Sequence, residues 1–214
     1  MKLPKARQEV MDSGWEAKRL DHMKKNIGKG DVVYYVGAEC GDMPGLCQSW
    51  GAEVAIFEPA EHFWQDMKKI WQMNDFEDPM FFWGGFASNT NQGQSISWEE
   101  IDMEKKYPDY LGFGELSKEA ARFPQITIDE AVKRAKKPPT AMSIDVEGAE
   151  FEVLKGARET LKQYKPKIYL SLHPEFLFDQ WGVYGNDVRN YLKDLGYKET
   201  LIEYPAHEVH FFYE

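Results

Sequence analysis

The chain has 214 residues, long enough to bury a substantial core without disulfides or structural metal. Its 36 Asp and Glu outnumber 26 Lys and Arg for a formal net charge of -10, which argues against a surface that tracks nucleic-acid phosphates. No apolar run reaches the ~20 residues that span a bilayer, and Met1-Lys2-Leu3-Pro4-Lys5 leads into charged sequence rather than a signal-peptide core.

Residues 1–30 read as a helical arm, with Val10, Trp15, Leu20 and Met23 apolar amid charges and with Gly28 and Gly30 breaking the pattern. Strand and helix signals then alternate. Val32 to Val36 is a buried strand, Asp42, Pro44 and Gly51 punctuate a short helix, and Val54 to Phe57 is a second strand. A helix over about 61–74 places Trp64, Met67, Ile70 and Trp71 on one face, and a third strand is expected at Met80 to Phe86.

The segment 89–124 departs from the alternation and is long for a connection. It holds Trp98, Tyr107, Tyr110 and Phe113 with Gly112 and Gly114, and reads either as a substrate cap or as a loop that packs its aromatics on the core. A helix from Asp129, a strand at Ala141 to Ile144, a helix from about Ala149 and a fifth strand at Ile168 to Leu172 follow. Asn186 is the expected cap of a helix that Gly196 stops, and Thr200 to Tyr204 with Val209 to Tyr213 reads as a hairpin. The pattern predicts an α/β fold: a doubly wound, mostly parallel seven-stranded sheet with helices on both faces and a C-terminal antiparallel hairpin. One domain over 1–214 is expected, cytoplasmic and free of membrane, with Cys40 and Cys47 as reduced structural thiols.

The chemistry-bearing residues fall at strand ends. Gly37 and Gly41 follow the first strand, where the backbone must turn tightly and let a ligand approach without a Cβ in the way. Glu58 ends the second strand about twenty residues on, where an acid accepts hydrogen bonds from the vicinal hydroxyls of a ribose. Gly37-Ala38-Glu39-Cys40-Gly41 lacks the GxGxxG spacing that seats a pyrophosphate on a helix N-terminus. A cofactor with a ribose and no pyrophosphate fits better, and S-adenosylmethionine is the commonest such molecule.

Asp145 and Glu147 follow the fourth strand, at the carboxyl edge where open α/β sheets keep their chemistry. They either cap the next helix or orient a substrate hydroxyl and take its proton. Gly148 permits an unusual turn, and Glu150 suits the positive end of the helix dipole. His173, at the end of the fifth strand, is either structural or a base, since a histidine of ordinary pKa, about 6.5, accepts a proton near neutrality. Asp145, His173 and Glu175 are conceivable ligands of a divalent cation, but no helical HxxxH or comparable spacing supports one, and no metal is expected. His62, His207 and His210 read as surface or packing residues.

Three segments together resemble the FkbM family of S-adenosylmethionine-dependent methyltransferases: Tyr35 to Gly41, Ile56-Phe57-Glu58-Pro59, and Ser143-Ile144-Asp145-Val146-Glu147-Gly148-Ala149-Glu150 onward to Ala157. The resemblance runs from about Val32 to Glu175. It implies a class I methyltransferase fold with S-adenosylmethionine as cofactor and a hydroxyl of a small molecule or glycan, not nucleic acid, as acceptor. Gly37, Ala38, Glu39 and Gly41 would surround the methionine end, Glu58 and Pro59 the ribose, and Gly85 and Phe86 the adenine. Asp145, Glu147 and His173 would orient the acceptor and remove its proton.

This chain departs from the family at Tyr35, where an acid is usual, and at Glu39, where asparagine is usual. Either Glu39 supplies the carboxylate for the cofactor's amino group or the site is weakened. Rival readings are a protein of the same fold without turnover and a nucleobase N-methyltransferase. The latter lacks its (Asp/Asn)-Pro-Pro-(Tyr/Phe) element after the fourth strand. A nicotinamide oxidoreductase is disfavoured by the glycine spacing.

Overall fold

Strands that are apolar on both faces require cover on both faces. The computed structural model, which describes residues 1–106, 122–205 and 207–214, shows how the chain supplies it. An arm of two helices, α1 (Lys5–Asp12) and α2 (Ala17–Asn26), leads into β1 (Val32–Val36), α3 (Asp42–Ser49), β2 (Glu53–Phe57), α4 (Glu61–Met73) and β3 (Phe81–Trp83). After the short β4 (Phe86–Ala87) and β5 (Gln125–Ile126), alternation resumes with α5 (Ile128–Ala135), β6 (Ala141–Ile144), α6 (Glu150–Gly156), α7 (Arg158–Tyr164) and β7 (Lys167–Leu172). Helices α8 (Pro174–Trp181) and α9 (Gly185–Asp194) precede the hairpin of β8 (Glu199–Glu203) and β9 (Val209–Tyr213).

The sheet has seven strands in the order β3-β2-β1-β6-β7-β9-β8, parallel except for β9, which runs antiparallel to both β7 and β8. Every residue of β1 is buried, and alternate residues feed opposite cores. Val32, Tyr34 and Val36 join the core made with α5, α6, α7 and α9, whereas Val33 and Tyr35 join the one made with α2, α3 and α4. From β1 the chain winds outward to β3 and then returns to β6 on the other side. The carboxyl ends of β1 and β6 therefore flank the topological switch point, where such sheets bind ligands.

Three expectations are corrected in detail. The third strand is not continuous over 80–86: it breaks at Gly84-Gly85, and β4 leaves the main sheet to pair with β5. A Cβ on Gly84 would come within 2.6 Å of the Trp64 ring, and one on Gly85 would overlap the carbonyl of Pro124, so this crossing needs both glycines. The helix expected from Ala149 is two helices, broken at Gly156, where a side chain would overlap the Ser88 carbonyl. Helix α9 starts at Gly185 rather than after Asn186, since the Asp187 carboxylate accepts the Tyr184 backbone N–H at 2.9 Å.

The described part of 89–124 packs on α4, as the second of its two readings expects. Trp98 and Ile101 are buried, Trp98 Nε1 donates to Asp78 at 2.8 Å, and Lys68 Nζ donates to the Trp98 carbonyl at 3.0 Å. Tyr107, Tyr110, Gly112, Phe113 and Gly114, and with them the expected cap, lie outside the described residues. No helix among the described residues is long and apolar enough to cross a membrane.

Candidate active site

The carboxyl ends of β1, β2 and β6 open into a cavity of about 270 Å³. Its first wall is the turn after β1. Gly37, at φ +82°, donates its N–H to the Phe57 carbonyl at 3.0 Å, and Asp145 N–H donates back to Val36 at 2.9 Å, so the turn lies flat across the end of β6. A Cβ on Gly37 would overlap the Asp145 carbonyl, and this crossing is why the position is glycine. Gly37, Ala38 and Glu39 line the cavity, as do Glu58, Pro59, Gly85 and Phe86. Gly41 does not: its positive φ starts α3, and a side chain there would strike Met67, so its role is packing.

Glu58 is 1% exposed and clasps two loops. Its Oε2 accepts the Glu39 N–H and its Oε1 the Ala60 N–H, each at 2.8 Å. Glu58 also lines the cavity, and a carboxylate has more lone pairs than these two donors use. Burial raises Glu58 to about 7 even against these backbone donors, and burial with the charges of Asp145 and Glu58 raises Glu39 to about 8. Tyr35, where an acid is usual, is buried beside Arg19, and burial keeps its phenol neutral.

The second wall comes from β6, β7, the hairpin and the arm. Asp145, Glu147, His173 and Glu208 all line it. Glu147 sits at φ 45° and Gly148 at φ 106°, a turn that tucks under α8 so closely that a Cβ on Gly148 would lie 2.8 Å from Phe176 Cβ. Burial, then the neighbouring acids, raises Glu147 to about 7, partly opposed by His173. Glu150 is fully buried, and its Oε1 accepts from His173 Nδ1 at 2.7 Å and from Gly148 N–H at 3.1 Å.

His173 is placed as expected, but its charge state is not. Its Nε2 lies 3.3 Å from Glu208 Oε2 and 3.8 Å from Asp145 Oδ1. Burial alone would lower its pKa, but Glu150, Glu208 and Asp145 outweigh burial and lift it to about 10. A pKa so raised favours the imidazolium at neutral pH, and so the structural reading of His173 over that of a neutral base. Glu175 is exposed on α8, and Glu208 takes the place beside Asp145 and His173 assigned to it, with the three ligand atoms within 4.8 Å of one another.

Little in the residue pattern of the arm points to its part in the site. Trp15 and Glu16 line the cavity, and Arg19, 1% exposed, reaches beneath it. Arg19 Nη1 donates to Asp145 Oδ2 and Glu16 Oε2, each at 2.8 Å, and Nη2 to Ser143 Oγ at 2.9 Å. The available signal was that Arg19 lies one turn from the buried Met23, on the face that docks. Seven carboxylates line the cavity: Glu16, Glu39, Asp42, Glu58, Asp145, Glu147 and Glu208. Among the described residues no Lys or Arg does.

Residues 31–199 match the methyltransferase FkbM domain. A crystal structure of methyltransferase FkbM from Methylobacillus flagellatus KT superposes with a TM-score of 0.60 at 18% identity, over 86% of this chain and 43% of that one. The chain thus spans less than half of that protein's length. An rRNA methylase from Streptococcus thermophilus superposes at 0.57 with 8% identity, over 91% of this chain and 92% of that one. A Streptococcus mutans protein solved in complex with SAH superposes at 0.50 with 12% identity, over 91% and 94%. No curated protein matches the chain significantly in sequence. At these identities the likenesses establish the shared fold, and the domain match, over more than half of its length, establishes the family: the chain belongs to the FkbM methyltransferase domain family.

Proposed function

We propose that this chain transfers a methyl group from S-adenosylmethionine to a hydroxyl of a small molecule or glycan. The observation that carries the reading is the acid-lined cavity at the switch point, with Glu58 at the end of β2. S-adenosylmethionine carries a sulfonium and an ammonium and no phosphate, so its charge is opposite to that of the wall. A dinucleotide would bring two phosphates against a wall of seven carboxyl groups, several of them part-protonated, in which His173 is the one cationic side chain among the described residues. The same charge disfavours a nucleic-acid acceptor. SAH, bound in the Streptococcus mutans neighbour, is the demethylated form of the same cofactor.

When bound, the cofactor supplies a methyl group already activated by positive sulfur. What remains for the protein is alignment and the removal of one proton. Glu58 accepts from the ribose hydroxyls while it holds the Glu39 and Ala60 turns in place. Glu39, largely protonated at neutrality in the absence of a cation, ionises against the cofactor's amino group. Gly85 and Phe86 border the adenine. On the acceptor side Asp145 is fixed by Arg19 and orients the hydroxyl, and Glu147, with a pKa of about 7, takes its proton. His173 holds a positive charge between Glu150 and Glu208 and positions this wall.

The test is transfer of labelled methyl from S-adenosylmethionine to a panel of sugar, lipid and polyketide hydroxyls. Turnover should fall by about 10² to 10⁴ in Glu147→Gln with cofactor affinity unchanged. Transfer only to nitrogen acceptors would overturn the hydroxyl assignment, and cofactor binding without transfer to any acceptor would favour a protein that kept the fold and lost turnover.

A further inference from the structure

The hairpin and the arm bring together three side chains, Glu16, Glu208 and His210, to which the proposed methyl transfer assigns no proton or bond. Glu16 Oε1, Glu208 Oε2 and His210 Nε2 lie within 4.8 Å of one another. His210 Nε2 is 3.0 Å from Glu208 Oε2 and 3.9 Å from Glu16 Oε1. The Glu16 and His210 side chains are each 1% exposed, yet neither Glu16 Oε1 nor His210 Nε2 has a hydrogen-bond partner among the described residues. Unpaired buried polar atoms are costly and rare, so two of them facing one point require a partner.

Their spacing identifies that partner's chemistry. Nitrogen and oxygen ligands at ~2.1 Å from one cation lie ~3.0 Å apart when adjacent in an octahedron and ~4.2 Å apart when opposite. The 3.0 Å separation equals that of adjacent ligands, and the 3.9 Å one would need Glu16 to shift by a few tenths of an ångström to reach the opposite position. His210 Nε2 and Glu208 Oε2 are at contact distance, and a shared ion would take a lone pair from each, while Glu16 Oε1 is left with no hydrogen-bond partner among the described residues.

The surroundings orient each ligand atom inward. His210 Nδ1 lies 3.3 Å from Glu203 Oε1, and donation of its N–H to that carboxylate leaves the Nε2 lone pair directed at the cluster. Glu203 Oε1 also accepts the Arg19 backbone N–H at 3.0 Å. Glu16 gives its other oxygen to Arg19, and Glu208 Oε2 is braced by His173 at 3.3 Å. A carboxylate behind a histidine whose far nitrogen faces further carboxylates is the outer shell that metal-binding histidines have.

We propose that Glu16, Glu208 and His210 form a binding site for a first-row divalent cation of the zinc and manganese class. One imidazole and two carboxylates suit such borderline ions better than Mg²⁺ or Ca²⁺, which prefer all-oxygen sites. Glu16 belongs to the arm and the other two ligands to the hairpin segment, so the ion ties the two ends of the chain together in the wall of the cavity.

The test is calorimetric titration of chelator-dialysed full-length protein with Zn²⁺, paired with electron paramagnetic resonance of Mn²⁺. One saturable ion per chain is expected, with nitrogen hyperfine coupling from His210 and a rise in Tm on Zn²⁺ addition. Glu16→Gln, which is nearly isosteric and lies in the arm, should weaken binding at least about tenfold, and Glu203→Gln by about 10- to 100-fold. His210→Ala should abolish the nitrogen coupling. If that variant fails to fold, Glu16→Gln decides. Weak unsaturable binding, or equal affinity in wild type and Glu16→Gln, would overturn the site and leave an ion-pair network around a charged His210. The titration uses neither cofactor nor acceptor, so its failure would leave the methyl-transfer reading standing, and the reverse holds as well.

Discussion

Replacing Arg19 with Met tests whether the arm is part of the site or only leans on the sheet. The guanidinium is 1% exposed and serves two acids and a serine hydroxyl at 2.8 to 2.9 Å. Methionine fills similar volume and removes the charge, leaving Glu16 with a side chain 1% exposed and Asp145 22% exposed. Removing one member of a buried pair costs ~3–5 kcal/mol, and because Asp145 recovers some hydration the lower end applies, about 3 kcal/mol. At ~2–4 °C per kcal/mol for a chain of this size, Tm should fall by about 6–12 °C. Thermal denaturation by circular dichroism reads this directly. Adding Asp145→Asn to Arg19→Met should recover part of the loss, since it removes one stranded charge and adjacent sites are not additive. A Tm within ~2 °C of wild type would refute the claim that these ion pairs fix Asp145, because breaking even a surface pair costs only ~0–1 kcal/mol.

Burial lifts Glu39 to about 8 and Glu58 to about 7 from an ordinary 4.5, so between that value and about 7–8 the folded state holds protons that the unfolded state has released. Stability of the cofactor-free protein should therefore fall as pH rises from 5.5 to 8.5. A melting temperature that is flat or rises across that window would contradict the assignment. Gly37→Ala combines φ +82° with an overlap on Asp145 and should lose at least about 2 kcal/mol in urea denaturation. Gly182→Ala, at φ +64° in open space, should lose only about 1 kcal/mol, and equal losses would show that the turn after β1 is not constrained by β6.

Much of the fold was legible because local pattern and tertiary role agree. The apolar runs of β1, β2, β6 and β7 are buried strands, and the hairpin closes the sheet as expected. Gly37, Glu58 and Asp145 were found because strand ends in such sheets converge by topology alone. What local pattern could not show is long-range pairing. Arg19 meets Asp145 and Ser143 across more than a hundred residues, and its place one turn before Met23 on α2 does not say which partners it finds. His210 read as a surface or packing residue and Glu208 drew no reading, because strand periodicity does not say that the arm covers that face. The charge of His173 escaped for the same reason: two of its three acidic neighbours, Asp145 and Glu150, lie in the β6 to α6 segment, and the third, Glu208, comes from the hairpin.

The acid-lined cavity at the ends of β1, β2 and β6 is the proposed seat of a cationic, phosphate-free nucleoside cofactor. Calorimetric titration of purified cofactor-free protein with S-adenosylmethionine, and separately with NAD, tests it most directly. The account predicts saturable 1:1 binding of S-adenosylmethionine, no binding of NAD, and at least about a tenfold loss of affinity in a folded Glu58→Gln variant, since charge-assisted hydrogen bonds contribute ~1.5–3 kcal/mol each. Absence of S-adenosylmethionine binding, or binding of NAD with comparable affinity, would contradict it.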